Sequence, residues 1–211
     1  MKLKLCYKKV KFPPEIMLKK VIEPAMEAPK EDKTLNLFLS KLGKGVPLLC
    51  IEQLMKGKTE GSLFYTMYRE RVRLIGDTVT IYTEKNKSGE ETKSFSKKEV
   101  IEALYRREEY AKKIYSESIL CEYLDNLSPN GMPKYLEILK DKKIENTYID
   151  SEVWDVDIIK DKISIWFQFD KERLPENEVI ISRDTLTKAM EKWYEFLQKK
   201  FSEEYEEIIE V

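Results

Sequence analysis

The chain repeats itself, and that repetition limits its possible folds more than any other feature. Val72-Arg73-Leu74-Ile75-Gly76-Asp77-Thr78-Val79-Thr80-Ile81-Tyr82 matches Val156-Asp157-Ile158-Ile159-Lys160-Asp161-Lys162-Ile163-Ser164-Ile165-Trp166 at an offset of 84, with four of eleven positions identical. The pattern resumes at an offset of 86, where residues 96–117 align without a gap to residues 182–203 and six of 22 positions are identical. Gly45-Val46-Pro47 and Gly131-Met132-Pro133 also lie 86 apart. Three blocks in the same order imply a tandem duplication of a unit of about 85 residues, the size of a small domain.

Each copy reads as strands followed by a helix. In the first, alternation predicts a hairpin of residues 63–75 and 78–83 around Gly76-Asp77, a mobile turn at 85–91 and a third strand at 92–95. Ser96 with Glu99 forms a capping box, and Val100, Ala103, Leu104, Ala111 and Ile114 lie on one helical face. In the second copy, residues 153–159 pair with 162–170, Pro175 interrupts, and a strand at 179–181 leads to a helix over 183–201 with Leu186, Met190, Trp193 and Leu197 on its face. Helices precede the strands at 35–42, stopped by Gly43, and after Pro47 and Pro133. Upstream, 3–12 reads as a strand ended by Pro13-Pro14, 15–23 as a short helix stopped by Pro24, and 29–32 as a polar link. The expected fold is α+β, with antiparallel sheets carrying helices on one face. The expected segments are a basic arm (1–34), a first copy (35–117) and a second copy with an acidic tail (118–211).

Composition excludes much familiar chemistry. The 211 residues include no histidine, which removes the Ser-His-Asp triad, the Cys-His dyad and every His-containing metal site. Seven glycines leave little for phosphate-cradling loops. The three cysteines, Cys6, Cys50 and Cys121, form no CxxC pair, and the apolar runs around Cys50 and Cys121 predict buried free thiols. The Lys-rich N-terminus has no apolar signal-peptide core, and no run approaches the ~18 apolar residues of a membrane span. A cytoplasmic location is expected. Bases number 38 and acids 39, so the overall field does not seek nucleic acid.

Four local features bear on function. Gly57-Lys58-Thr59 resembles the end of a P-loop, but Glu52 stands where the motif needs glycine. Asp155 and Asp157 share a strand face, with Asp161 nearby, as two carboxylates on a metal would. The first copy has Arg71, Arg73 and Asp77 at these places, which favours solvated outer-face acids. Tyr82 and Trp166 occupy equivalent positions, with Phe167 and Phe169 following; they could stack on nucleobases, but a core role is favoured. The two ends differ in charge: residues 1–20 hold seven lysines and one glutamate, and residues 202–211 hold five glutamates and no base. The acidic tail could meet a basic partner, or the basic arm could pack against it within the chain.

Gly45-Val46-Pro47, Val79-Thr80-Ile81-Tyr82 and Ser94-Phe95-Ser96 with its helix, together with Gly131-Met132-Pro133, Ile163-Ser164-Ile165-Trp166 and Ile180-Ile181-Ser182 with its helix, resemble small bacterial immunity proteins that neutralise contact-dependent and other polymorphic toxins. The similarity covers residues 35–203; the basic arm and the doubling depart from it. The resemblance implies a non-enzymatic, protein-binding role in which the chain occludes a toxin domain, with no cofactor, no metal and no membrane. The partner would be a protein, such as a cognate basic toxin domain. Tyr194, Glu203, Glu204, Tyr205, Glu206 and Glu207 are the expected partner-binding residues. A nucleic-acid binder using the Lys-rich arm and strand aromatics, and a His-free metal nuclease using Asp157 and Asp161, are the alternatives.

Overall fold

The computed structural model describes residues 1–12, 15–40, 42, 45–56, 71–85, 89–150, 153–169 and 177–211. Gly43, the P-loop-like Gly57-Lys58-Thr59, the first part of the strand expected over 63–75, Pro13-Pro14 and Pro175 lie outside these residues.

The fold is α+β. In chain order the elements are β1 (Lys2–Phe12), β2 (Glu15–Pro24), α1 (Lys33–Ser40), α2 (Val46–Met55), β3 (Arg71–Ile75), β4 (Thr78–Lys85), β5 (Gly89–Ser96), α3 (Lys97–Asn126), α4 (Met132–Lys140), β6 (Asn146–Asp150), β7 (Trp154–Ile159), β8 (Lys162–Phe167), β9 (Glu178–Ser182), α5 (Arg183–Gln198) and β10 (Tyr205–Glu210). They form three antiparallel sheets, ordered β10-β1-β2, β3-β4-β5 and β6-β7-β8-β9. Among the described residues no helix is long and apolar enough to cross a membrane.

The chain divides into two compact units, residues 27–113 and residues 1–26 with 114–211. Each holds one repeat. The boundary falls inside α3, between residues 113 and 114; the helix continues to Asn126, and its end, 114–126, serves the second repeat as α1 serves the first. Residues 1–26 join the second repeat's unit, where the sequence suggested a separate arm.

The repeats agree in register. Val72 faces Ile81 and Ile75 faces Thr78 in the first; Val156 faces Ile165 and Ile159 faces Lys162 in the second. The third strands enter alike, with Thr78 opposite Ser96 and Lys162 opposite Ser182. In both, the first helical N–H reaches back to the hairpin turn, Lys97 N to Asp77 O at 2.7 Å and Arg183 N to Asp161 O at 2.8 Å. The buried positions coincide: Val72, Leu74, Val79 and Ile81 match Val156, Ile158, Ile163 and Ile165, and Val100, Ala103 and Leu104 match Leu186, Ala189 and Met190. Period-two alternation buries one face of each sheet, and the helices cover it.

The preceding helices match as well, one residue off the Gly-x-Pro register. Leu35, Phe38, Leu39, Ile51 and Leu54 take the buried places of Leu120, Tyr123, Leu124, Leu136 and Leu139, an offset of 85. The shared glycines are not conformational equivalents, since Gly45 has φ 80° and Gly131 has φ −84°. That sequence agreement reflects helix-start chemistry rather than one backbone shape.

Several expectations are corrected. Residues 15–23 form β2 rather than a helix, because the segment pairs with β1 along its whole length. Tyr82 and Trp166 are not core residues: Ile81 and Ile165 fill that face, and alternation turns their neighbours to the other side, half-exposed. The last long helix, α5, stops at Gln198 rather than 201. Cys50 and Cys121 are buried free thiols, as is Cys6, and burial pushes Cys50 and Cys121 up to about 12.

Side chains distant in sequence close the helix ends of the second repeat. Arg183 is 1% exposed. Its Nε donates to Leu139 O at 2.7 Å and its Nη2 to Ile138 O at 2.6 Å and Asp141 O at 2.9 Å, satisfying the last carbonyls of α4. Its Nη1 donates to Ile144 O at 2.7 Å. Trp193 Nε1 donates to Leu124 O in the last turn of α3 at 2.9 Å. Lys20 Nζ donates to Leu197 O at 2.6 Å and to Lys199 O, at the end of α5. In the first repeat the buried Glu108 instead serves a helix start, accepting from Gly45 N, the cap of α2, at 3.0 Å.

Candidate functional site

The two oppositely charged chain ends meet. Strand β1 turns Leu3, Leu5 and Tyr7 toward the core of its unit and Lys2, Lys4 and Lys8 to the opposite face. Strand β10 pairs with it antiparallel, Lys2 opposite Glu210, Leu3 opposite Ile209, Cys6 opposite Glu206 and Tyr7 opposite Tyr205. Five glutamates among the last ten residues are poor strand formers in isolation. The lysines beside them offset part of their mutual repulsion. Lys4 Nζ lies 2.6 Å from Glu206 Oε2, and Lys2 Nζ lies 3.3 Å from Glu210 Oε1. The hydrogen bond to Glu206 holds the Lys4 ammonium above its ordinary range. The outermost main-chain links are Val211 N to Met1 O at 3.0 Å and the N-terminal amine to Val211 O at 3.2 Å.

Exposed ion pairs of this kind contribute about 0–1 kcal/mol each. What seats β10 is its inner face. Phe201 stacks on Tyr7 at 5.3 Å and on Tyr205 at 4.9 Å, and touches Phe196 at 5.0 Å. Lys20 lies 5.5 Å from the Phe201 ring centre. Partial burial of Lys20 lowers its pKa. Lys199 pairs with Glu207 at 2.8 Å, which raises its own pKa.

The expected partner-binding residues divide into two groups. Tyr194 lies on α5, half-buried against the core. Glu203, Glu204, Tyr205, Glu206 and Glu207 come together at and along β10. Glu204 Oε1 accepts from Lys9 N at 3.1 Å, and the Tyr205 hydroxyl donates to Glu207 Oε2 at 3.1 Å. Sequence reading missed Ile208, which is 65% exposed and shares the outer face with Glu206 and Glu210. It also missed that the tail is a strand at all. The signal was present as matched period-two rows, Lys2 and Lys4 against Glu206 and Glu210.

Strand β10 is an edge in the order β10-β1-β2, among the described residues. The edge therefore presents Glu206, Ile208 and Glu210 outward, acid-apolar-acid. The carboxylates remain largely in solvent despite their lysines, with side-chain exposures of 69% for Glu206 and 78% for Glu210.

The arm's own field is partly neutralised. Besides Lys2 and Lys4, Lys8 pairs with Glu23, and Lys19 pairs with Asp125 at 3.0 Å. Asp155 and Asp157 do share a face of β7, opposite the core. Asp155 is 6% exposed and accepts the Tyr148 hydroxyl, so it is no solvated acid. Asp161 sits in the β7–β8 turn near Lys142. Among the described residues no group of three or more His, Cys, Asp or Glu side chains could hold a metal.

A family model of unknown function, DUF5376, matches residues 81–211, and the chain belongs to that family. The matched span holds the complete second repeat and β10, but not β1 or β2. No curated protein and no solved structure matches the chain.

Proposed function

We propose that this DUF5376 protein is a non-catalytic binding module of the immunity type, which covers a basic face of a toxin domain with the acidic edge of β10. The observation that carries the reading is the outward row Glu206, Ile208 and Glu210 on an edge strand. Edge strands are templates for strand addition, and one flanked by acids favours a partner rich in lysine and arginine. Glu203 and Glu204 extend the same surface at one end, while Tyr205 and Glu207 lie on the inner face of β10 and Tyr194 packs against the core from α5. The ion pairs made by Lys2, Lys4, Lys8 and Lys19 weigh against nucleic acid as the partner. The proposal places the protein in the cytoplasm, a reducing compartment that suits three buried free thiols.

The test uses the full chain as bait against toxin domains encoded by neighbouring genes of its source genome. Binding and loss of toxicity are expected. Ile208→Ser with Glu206→Gln should weaken binding about tenfold or more while leaving the fold intact. Unchanged affinity in that variant removes the site. Retention on heparin with steep salt dependence, and no protein partner, replaces the reading with nucleic-acid binding.

A further inference from the structure

The second repeat holds a cleft of about 270 Å³ between the part of α3 that follows residue 113 and the end of its sheet where β7 begins and β8 ends, away from the β7–β8 turn. Tyr115, Trp154 and Phe167 contribute three aromatic rings to its lining, Glu122 an exposed carboxylate, and Asn177 an amide. Ile119 closes it on the core side, and among the described residues none that lines it is basic. The rings are held in place. Trp154 packs edge-on against Phe167 at 5.4 Å and 68°, and the Tyr115 hydroxyl donates to Asn177 Oδ1 at 3.3 Å.

The repeat itself supplies a control. In the sequence alignment the first repeat carries Leu37, Glu70 and Thr83 at the positions of Glu122, Trp154 and Phe167, and its helix α1 begins only at Lys33, so the helical place of Tyr115 has no counterpart. The shared register therefore does not require three aromatic groups and a carboxylate at this place. Their combination is particular to the second copy.

Ring faces carry negative potential and attract cations, most strongly where water is partly excluded, and a carboxylate at the rim completes the match for a positively charged organic group. We infer that this cleft binds an organic cation, a guanidinium or alkylammonium group, which lies against Tyr115, Trp154 and Phe167 and pairs with Glu122. The inference does not rest on the acidic edge of β10, which lies on a different sheet, and either can fail alone. A free small molecule or the side chain of a bound protein could present the same group.

The test is titration of the full chain with n-butylguanidinium and with tetramethylammonium, followed through the indole N–H resonance of Trp154. A neutral analogue of equal shape, n-butylurea, is the control. The expected result is a saturable shift with the cations, little or none with the urea, and about tenfold weaker binding in Glu122→Gln. Glu122 is exposed, so that variant keeps the fold; Tyr115→Ala, at a 41% exposed position, should weaken binding as well. A blocked tripeptide centred on arginine separates the two sources. Its binding assigns the cleft to a protein side chain, and binding of the small cations alone assigns it to a free ligand. Equal binding of n-butylurea, an unshifted Trp154 resonance, or undiminished affinity in Glu122→Gln overturns the inference.

Discussion

The equivalent helices α2 and α4 are secured by opposite charges at opposite ends. In the first repeat Glu108 brings a buried carboxylate to the start of α2, where main-chain N–H groups lack partners. In the second, Arg183 brings a buried guanidinium to the end of α4, where carbonyls lack them. Each exploits one pole of the helix dipole. The position of Glu108 is Tyr194 in the second repeat, and the position of Arg183 is Lys97 in the first, half-exposed. One backbone plan thus tolerates two incompatible solutions, because all it demands is that buried polar main-chain groups be satisfied.

The largest expected effect breaks this symmetry most directly. Arg183→Leu should cost about 3 kcal/mol or more, since it leaves several buried carbonyls without donors. Lys97→Leu should change stability by within about 0.5 kcal/mol. Urea unfolding measures both. The buried thiols say which unit gives way: in Arg183→Leu, Cys121 should become reactive before Cys50, and simultaneous labelling would show that the units unfold together. Glu108→Ala should cost about 2 kcal/mol and reverse the order of labelling.

A smaller contrast lies at the hairpin turns. Gly76 and Lys160 are equivalent and both have φ 54°. A side chain is strained there, so Lys160→Gly should stabilise by about 1 kcal/mol and Gly76→Ala should destabilise by a similar amount. Nothing lies within 4 Å of a Cβ at Gly76, so its cost comes from the backbone alone. Equal melting temperatures for wild type and Lys160→Gly would refute the strain.

The smallest effect is a pH signature. Ser96 and Ser182 cap α3 and α5, each accepting from the N–H three residues on, Glu99 N at 3.2 Å and Thr185 N at 3.0 Å. Only the first cap has a carboxylate in return, with Ser96 N donating to Glu99 Oε2 at 2.8 Å. The Ser96 hydrogen bonds hold Glu99 below its usual 4.5. A carboxyl with a lowered folded pKa stabilises above the unfolded value, and that contribution disappears as pH falls through the folded one. The cost of Ser96→Ala should therefore shrink below about pH 4. The cost of Ser182→Ala, about 1 kcal/mol, should not change over the same range. Parallel urea titrations of the two variants at pH 7 and pH 3 read this difference.

Much of the repeat was legible because it is local. Strand alternation in Val79 and Ile81, the Ser96–Glu99 box and the apolar stripe of α5 each need only neighbours a few residues away. The apolar spacing of residues 15–23 fits either period, and pairing with β1 decides it. The alternation of Tyr82 and Ile81 could be read on either face until the helices showed which side was covered. For the candidate site, the sequence marked the acidic tail and the basic arm as separate features. It left open whether they meet.

The sequence by itself determined the repeated α+β unit, the helix starts and the absence of histidine chemistry. Those follow from short-range periodicity and residue type. Only the tertiary structure decided that the last ten residues hold a strand, that its acids lie beside the lysines of β1, and that Arg183 closes a helix ending at Lys140. These are contacts between groups far apart in the chain. Their free energy exists only once the core has brought both partners together, so neither segment carries the information alone.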